Sequence, residues 1–378
     1  MFSSKIKKSI KSLIEKEGYL TYEIDEAAIT TDGGNYLGEL FEVNIKGKTK
    51  DGDKITNLFL KVSNGGATKG MFINNMYQNE LFSYKELSVV FAELQEAANV
   101  PLCEIYKLVK GYEDSSTDAI ILENIARKGF ITNHRMDVVS LEFAEMSMRE
   151  LAKFHGLSFA LQQKRPEYFN IKLKHMKYPM IYWDDWPKYV KSMINTTTNH
   201  MNDDVKSRVQ NTYHKLADKY AQFFEDEATR RCLCHGDYRT NNVMIKLKVS
   251  SVFVIWLDYQ LLHYGCPVLD ILFFFFISTD LKFRNAHMSH LKNVYHDSLT
   301  TFLKYFNLDV DSVYSREMLE QDFIEKLDYG MALSITLLPL TLAKEDDIPD
   351  FAGDSSEISF QVSEISRMCR YVGMQLYS

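Results

Sequence analysis

Through much of its first third the chain alternates short apolar and polar runs; from about residue 137 the apolar positions recur mainly at helical spacing. Residues 3–17 open with Ile6, Ile10, Leu13 and Ile14 on one helical face, and Gly18 supplies a stop. The opposite face is basic, which suits a membrane surface or, more ordinarily, a helix docked on the rest of the N-terminal region. Alternation from Glu39 to Lys46 predicts a strand, and the run Phe41 to Val62 predicts a hairpin turning at Asp51-Gly52. A helix is expected over about 74–98, closed by Pro101. A strand near 102–109, a polar turn at 113–117 and a strand from Ala119 to Asn124 come next.

Asp137 is a candidate N-cap for a long helix to about Leu161, with Leu141, Ala144, Met148, Leu151, His155 and Phe159 on one face. A histidine on such a face reads as a hydrogen-bonded core residue. Residues 166–190 interleave aromatics, prolines and a few acids without clean periodicity. Further helices are expected at about 203–225, 284–306, 316–343 and 358–376, with an acidic loop over 345–356. Val268 to Ile277 is intensely apolar but contains Asp270 and is far shorter than a membrane span, so it reads as a buried helix.

The stretch from Cys232 to Gln260 departs from packing logic. It carries His235-Gly236-Asp237, then Asn242, then the alternating run Val243 to Leu257, then Asp258-Tyr259-Gln260. That run reads as a hairpin, with Ser250 and Ser251 near its middle. A hairpin returns its ends to one place, so Asp237, Asn242 and Asp258 can converge. Phosphoryl transfer from ATP uses such a set: one carboxylate takes the proton of the attacking hydroxyl, and a carboxylate with an amide oxygen holds Mg²⁺. We therefore assign Asp237 as the base, and Asn242 and Asp258 as metal ligands. A lone H-G-D is a common turn; its joint occurrence with the hairpin and the second Asp is what carries the assignment.

Lys61 sits in the apolar strand Leu58-Phe59-Leu60-Lys61-Val62, on the face opposite Leu58, Leu60 and Val62. A lysine there needs an anionic partner unless the strand is an edge. Its place, after a glycine-containing turn and before a helix, is that of a lysine on the α- and β-phosphates of ATP. A helix glutamate is the expected partner for it, with Glu80 a candidate beside Glu86 and Glu93, which suit a solvated face. Gly33, Gly34 and Gly38 lie between strands, where glycine lets backbone N–H groups approach phosphates; a plain hairpin turn reads the same way.

The segments CHGDYRTNNVM, LDYQ and CPVLDILFF resemble the ecdysteroid kinase-like family, which stands with choline kinases and aminoglycoside phosphotransferases. The resemblance implies an α+β, bilobal protein-kinase-like fold: a small N-terminal lobe, residues 1–125, with an antiparallel sheet plus helix, and a larger, mainly helical lobe, residues 126–378. It implies that Gly34 to Gly38 form the loop above the nucleotide. It matches Glu80 to the family's helix glutamate, and the backbone around Glu123 and Ile125 to the hinge at the adenine edge. Many members carry Trp where Arg239 stands. Protein kinases carry a basic residue at that spacing, so contact with the γ-phosphate and a structural arginine both stay open. Implied cofactors are ATP and Mg²⁺, and the implied acceptor is an ecdysteroid or another apolar alcohol. Tyr182, Trp183, Asp184 and Trp186 are candidates for the acceptor wall, beside the alternative of an irregular packed insert. A cationic acceptor of the choline or aminoglycoside type would want carboxylates, which Asp184, Asp185 and the acids at 345–350 offer. A kinase-fold binding protein without activity is the reading from another class, and the complete residue set argues against it.

A protein kinase would continue from Asp258 through D-F-G into an activation segment. Here Tyr259-Gln260 comes next, and the apolar helix begins by Val268, so a small hydroxylated molecule is the expected partner. Asp270 is expected to cap that helix and to brace the catalytic loop. The 378 residues are 46% hydrophobic, enough for large cores, and 44 basic against 51 acidic side chains leave a net charge of −7, which does not suit nucleic acid. Five scattered cysteines argue against a disulfide framework and for a reducing compartment. Cys232 and Cys234 share a strand face and read as packing rather than metal ligands. With no apolar leader at the N-terminus and no membrane span, a cytoplasmic protein is expected. No feature sets an oligomeric state.

Overall fold

The computed structural model describes residues 2–30, 38–63, 71–134, 137–182, 186–198, 203–248 and 251–343. Helix α1 (Ser4–Lys16) starts where the Ser3 side chain accepts the Ile6 N–H. Strands β1 (Thr21–Ile29), β2 (Glu39–Thr49) and β3 (Gly52–Val62) form an antiparallel meander. A helical arm comes next: α2 (Met71–Phe82), a π-turn at Ser83–Leu87, and α3 (Ser88–Ala97). Strand β4 (Ala119–Glu123) returns to pair with β3, completing a sheet of order β1-β2-β3-β4. Lys61 is thus on an inner strand, which removes the edge reading.

The sheet is covered on both faces, and alternation on β3 explains how. Leu58 and Leu60 are fully buried with Val43 and Ile45 against Ile6, Ile10, Leu13 and Ile14 of α1. Phe59 and Lys61 point the other way, toward the α2 arm. The basic face of α1 meets the acidic turn beyond it: Lys16 lies 3.1 Å from Asp114 and Lys5 3.4 Å from Asp118. So α1 is docked on the sheet, as its apolar stripe implies.

The second part holds α4 (Leu141–Lys164), α5 (Pro166–Lys172), α6 (Trp186–Thr198) and α7 (Asp203–Glu225). Then come β5 (Cys232–Cys234), β6 (Val243–Lys248), β7 (Ser251–Trp256) and β8 (His263–Gly265). Helices α8 (Val268–Ser278), α9 (Leu281–Lys304), α10 (Val310–Tyr314), α11 (Arg316–Glu325), α12 (Leu327–Thr336) and α13 (Leu338–Leu342) complete it. The architecture is α+β, a small sheet-bearing part followed by a mainly helical one. The sheet ends at Glu123, but the core does not divide there: Leu87 and Phe91 of the arm and Ile120 and Leu122 of β4 share one cluster with α4 and α8. Val268 to Phe275 are all buried. Among the described residues no helix is long and apolar enough to cross a membrane. Cys103, Cys232, Cys234 and Cys266 are free thiols.

Several sequence expectations are corrected. Residues 102–109 form no strand, because the Gln95 side chain takes both backbone groups of Tyr106, accepting its N–H at 2.8 Å and donating to its carbonyl at 3.1 Å. Just beyond them, Gly111 makes a bridge to Leu122. Asp137 does not cap α4. Val139 donates its N–H to the Ser278 carbonyl, so the chain stays extended until Ser140, whose Oγ accepts the Phe143 N–H. The span 316–343 is three helices rather than one, breaking at Lys326 and Leu337, with Pro339 inside the first turn of α13. Residues 166–190 are not irregular throughout: Pro166 starts α5, a 3₁₀ turn spans Pro179–Tyr182 and Trp186 starts α6. The acidic loop at 345–356 and the helix at 358–376 lie outside the described residues.

Candidate active site

Strand β5 delivers the chain to His235, Gly236 and Asp237. Gly236 takes φ +82°, and a Cβ there would fall 2.3 Å from the Leu261 carbonyl oxygen, so this turn requires glycine. The loop is held from below. Asp270 accepts the N–H of His235 at 2.7 Å on one oxygen and the N–H of Gly236 at 2.8 Å on the other. Asp270 is in the first turn of α8, after Pro267, and does not cap that helix as expected; it braces the loop. His155 Nε2 lies 3.1 Å from Asp270 and its Nδ1 2.8 Å from the Tyr295 hydroxyl, so His155 is a hydrogen-bonded core histidine. Burial would raise the Asp270 carboxyl, but its hydrogen bond with His155 and the nearby histidines hold it below its ordinary value.

Asn242 comes next in a 3₁₀ turn, Thr240–Asn242. Its amide nitrogen donates to Asp237 twice, to Oδ2 at 2.7 Å and to the carbonyl at 2.9 Å, which turns its amide oxygen away from Asp237. Pairing of β6 with β7 brings the other end back, and the Leu257 N–H donates to the Asn242 carbonyl at 2.8 Å. Asp258 is the next residue. The hairpin thus joins the two acids through adjacent backbone, as its ends predict. Arg239 Nε lies 2.8 Å from Asp237 Oδ1, and its guanidinium also reaches Thr341 at 3.5 Å. Arg239 is buried against Asp237 and α13.

Lys61 Nζ gathers the second half of the site. It lies 2.9 Å from Glu80, 2.8 Å from Asp258 and 3.1 Å from the Gln260 side-chain oxygen. Burial would lower the lysine, but the charges of Asp258 and Glu80 overcome it and carry it well above its ordinary value. Burial, with the charge of Asp258 adding, pushes Glu80 up to about 7 against the opposing pull of Lys61. Burial is likewise the largest cause raising the Tyr77 phenol to about 12.

The remaining expected residues are more dispersed. Gly34, Trp183 and Asp184 lie outside the described residues. Gly38 takes φ +91° against the end of β3, where a Cβ would fall 2.4 Å from the Val62 carbonyl oxygen. Glu123 ends β4, with its N–H on the Lys110 carbonyl and its carboxylate 2.7 Å from Lys128. Ile125 is buried at the start of a 3₁₀ turn. Tyr182 ends the turn before α6. Trp186 packs its ring on Tyr220 at 4.3 Å and Tyr189 at 5.6 Å, in the seam of α6 and α7. Residues not singled out from the sequence also converge here: Asn79, Tyr84 and Gln260. Burial raises the Tyr178 and Tyr329 phenols, and the charge of Asp237 reaches both. A cavity of about 350 Å³ is lined by Glu104, Arg149, Glu150, Lys153 and Asp297, and no catalytic-loop residue borders it.

A buried lysine with a helix glutamate thus faces an aspartate and a paired Asp/Asn loop in a two-part α+β protein. The ecdysteroid kinase-like profile matches residues 32–308, and the chain belongs to that family. No curated protein matches it. Among solved structures, a choline kinase from Cryptosporidium parvum is similar at 12% identity and a TM-score of 0.47, covering 97% of this chain and 94% of its own. A choline kinase from Streptococcus pneumoniae is similar at 14% and 0.37, covering 87% and 99%. An aminoglycoside phosphotransferase from Streptomyces rimosus, in complex with ADP and streptomycin, is similar at 11% and 0.39, covering 81% and 98%.

Proposed function

We propose that this protein is an ATP- and Mg²⁺-dependent small-molecule kinase that phosphorylates a hydroxyl of an ecdysteroid or similar apolar alcohol. The observation that carries the reading is Lys61, held at 2.9 Å by Glu80 of α2 and at 2.8 Å by Asp258, nearly two hundred residues on. Burying such a cluster is costly, and a site that must grip polyphosphate has a use for it.

The donor set fits the cation. Asp258 and the outward amide oxygen of Asn242 are hard oxygen ligands, which suit Mg²⁺. Bound there, the ion would draw charge from the phosphates. Lys61 would bind the α- and β-phosphates, with Glu80 fixing it. Glu123 to Ile125 would meet the adenine edge, and the Gly34 to Gly38 loop would cover the phosphates. Asp237 takes the acceptor hydroxyl proton as that oxygen bonds the γ-phosphorus and the bond to ADP breaks. Asn242 and Arg239 orient Asp237. Tyr182, Trp183, Asp184 and Trp186 would wall the acceptor, and the aromatic character of three of them favours an apolar one.

The test is incubation with Mg-ATP and a panel of ecdysteroids, sterols, amino alcohols, aminoglycosides and plant phenols, read by mass spectrometry for a gain of about 80 Da. A phosphorylated steroid or phenol supports the reading. A phosphorylated amino alcohol would replace it with a cationic acceptor. No product and no thermal stabilisation by Mg-ATP would leave a binding protein. Asp237→Asn is expected to lose turnover while still binding Mg-ATP.

A further inference from the structure

We propose that Tyr84 and Asn79 are positioning residues for Asp258, locking the metal-binding aspartate to the same helical arm that carries Glu80. The proposal rests on the phosphotransferase reading, since it takes Asp258 as a metal ligand.

Asp258 has φ +64° and ψ +63°, a left-handed conformation uncommon outside glycine. Such a residue persists when its surroundings hold it there. Its backbone N–H donates to the Tyr84 hydroxyl oxygen at 3.1 Å. Just beyond, the carbonyls of Gln260 and Leu262 accept from the Asn79 side chain at 3.2 and 2.9 Å. Three backbone groups of one short segment therefore end on two side chains of one helical arm. The segment is otherwise short of ladder partners, because it forms the 3₁₀ turn Tyr259–Leu261.

The arm is shaped for this. Tyr84 sits inside the π-turn Ser83–Leu87, where the Ser88 N–H bonds back to the Ser83 carbonyl. A π-turn shifts which side chains face a neighbour, and such turns recur at functional sites. Gly111 closes the back of Tyr84: a Cβ there would fall 2.7 Å from the Tyr84 Cβ. The ring meets Tyr259 edge-on at 5.7 Å. Tyr84 is buried, and its hydroxyl is aimed by packing. Glu80 and Asp258, the two carboxylates on Lys61, are in this way set by one arm.

Tyr106 supplies the control. Its hydroxyl lies 2.6 Å from that of Tyr259, in the same aromatic cluster, and does not touch the Asp258 N–H. Full-length Tyr84→Phe, Asn79→Ala and Tyr106→Phe would be compared with wild type. Three quantities are read: Mg²⁺ titrations of ATP binding, ATP binding in chelator, and the thermal midpoint. Tyr84→Phe and Asn79→Ala are expected to weaken the Mg²⁺ dependence by about tenfold and leave metal-free ATP binding unchanged. Tyr106→Phe is expected to lower the midpoint with a wild-type Mg²⁺ dependence. Wild-type Mg²⁺ dependence in both Tyr84→Phe and Asn79→Ala would overturn the proposal, as would an equal weakening in Tyr106→Phe. Amide exchange over residues 256–262, measured without nucleotide, separates the two claims. A wild type that binds no Mg-ATP sinks the phosphotransferase reading. Exchange in Tyr84→Phe no faster than in Tyr106→Phe sinks the tether itself.

Discussion

Arg239 forms a buried ion pair with Asp237, 2.8 Å apart, with side chains only 4% and 5% exposed. Removing one member of such a pair leaves a buried charge without its counter-ion, at a cost of about 3–5 kcal/mol. Arg239→Met should therefore destabilise the protein by about that much in urea unfolding. Asp237→Asn combined with Arg239→Met should regain most of the loss, because neither charge is then stranded, and should remain inactive. Recovery of turnover in the double variant would remove Asp237 from its role as base.

His263 gives stability a pH dependence of known sign. Burial is the main cause lowering it from 6.5 to about 4. Its Nδ1 lies 2.9 Å from the Leu261 carbonyl, and among the described residues its Nε2 has no hydrogen-bond partner. A depressed histidine contributes stability that is present above 6.5 and is lost as pH falls toward 4. His263→Asn keeps a donor for Leu261 without that liability. Between pH 7 and 5 the wild type should lose about 2 kcal/mol relative to this variant. Parallel denaturation curves at pH 7, 6 and 5 check this; a constant gap would refute it.

Glu80 works in the opposite direction. Its folded value of about 7 stands above the ordinary 4.5, with burial as the largest cause. Its contribution is full below 4.5 and lost as pH rises through 7. Relative to wild type, Glu80→Gln should gain stability as pH rises from about 4.5 to about 8. The same variant should bind ATP more weakly, because Lys61 loses the partner that fixes it. The slope of stability against pH and the nucleotide affinity would then both change. Unfolding and nucleotide titrations at pH 6 and 8 test both halves.

The meeting of Asp237 and Asn242 was readable because short-range chemistry builds it. Asp237 and Asn242 are five residues apart, and one 3₁₀ turn brings the amide to the carboxylate. The hairpins were readable from alternation, since β3 sorts Leu58 and Leu60 to one core and Lys61 to the site. The cap of α4 was not, because Asp137 and Ser140 are both good caps and the choice falls to a bond between Val139 and distant Ser278. The false strand at 102–109 failed for a like reason: Gln95 competes for its backbone. In 166–190 aromatics and prolines hide the helical period of α5 and α6. Asn79 and Tyr84 carried no local signal, since their partners lie about 180 residues away.

Asp270 offers the sharpest test of how the loop is held. It is 1% exposed, and its two oxygens take backbone N–H groups from successive loop residues while His155 approaches from behind. Asparagine has nearly the same shape but only one acceptor oxygen, so Asp270→Asn points an N–H at a backbone N–H. One buried donor must then go unpaired, and the charge that strengthened both bonds is gone. The expected loss is about 3–5 kcal/mol in urea unfolding. Turnover measured well below the unfolding transition should also fall, by about a hundredfold, since a shift of Asp237 by an ångström would misplace the proposed base. His155→Phe breaks only the rear contact, so it should cost stability but leave more of the turnover. If Asp270→Asn were inactive yet as stable as wild type, the brace would be acting on chemistry alone. If it were unstable yet fully active while folded, Asp270 would be a core residue with no hold on the loop.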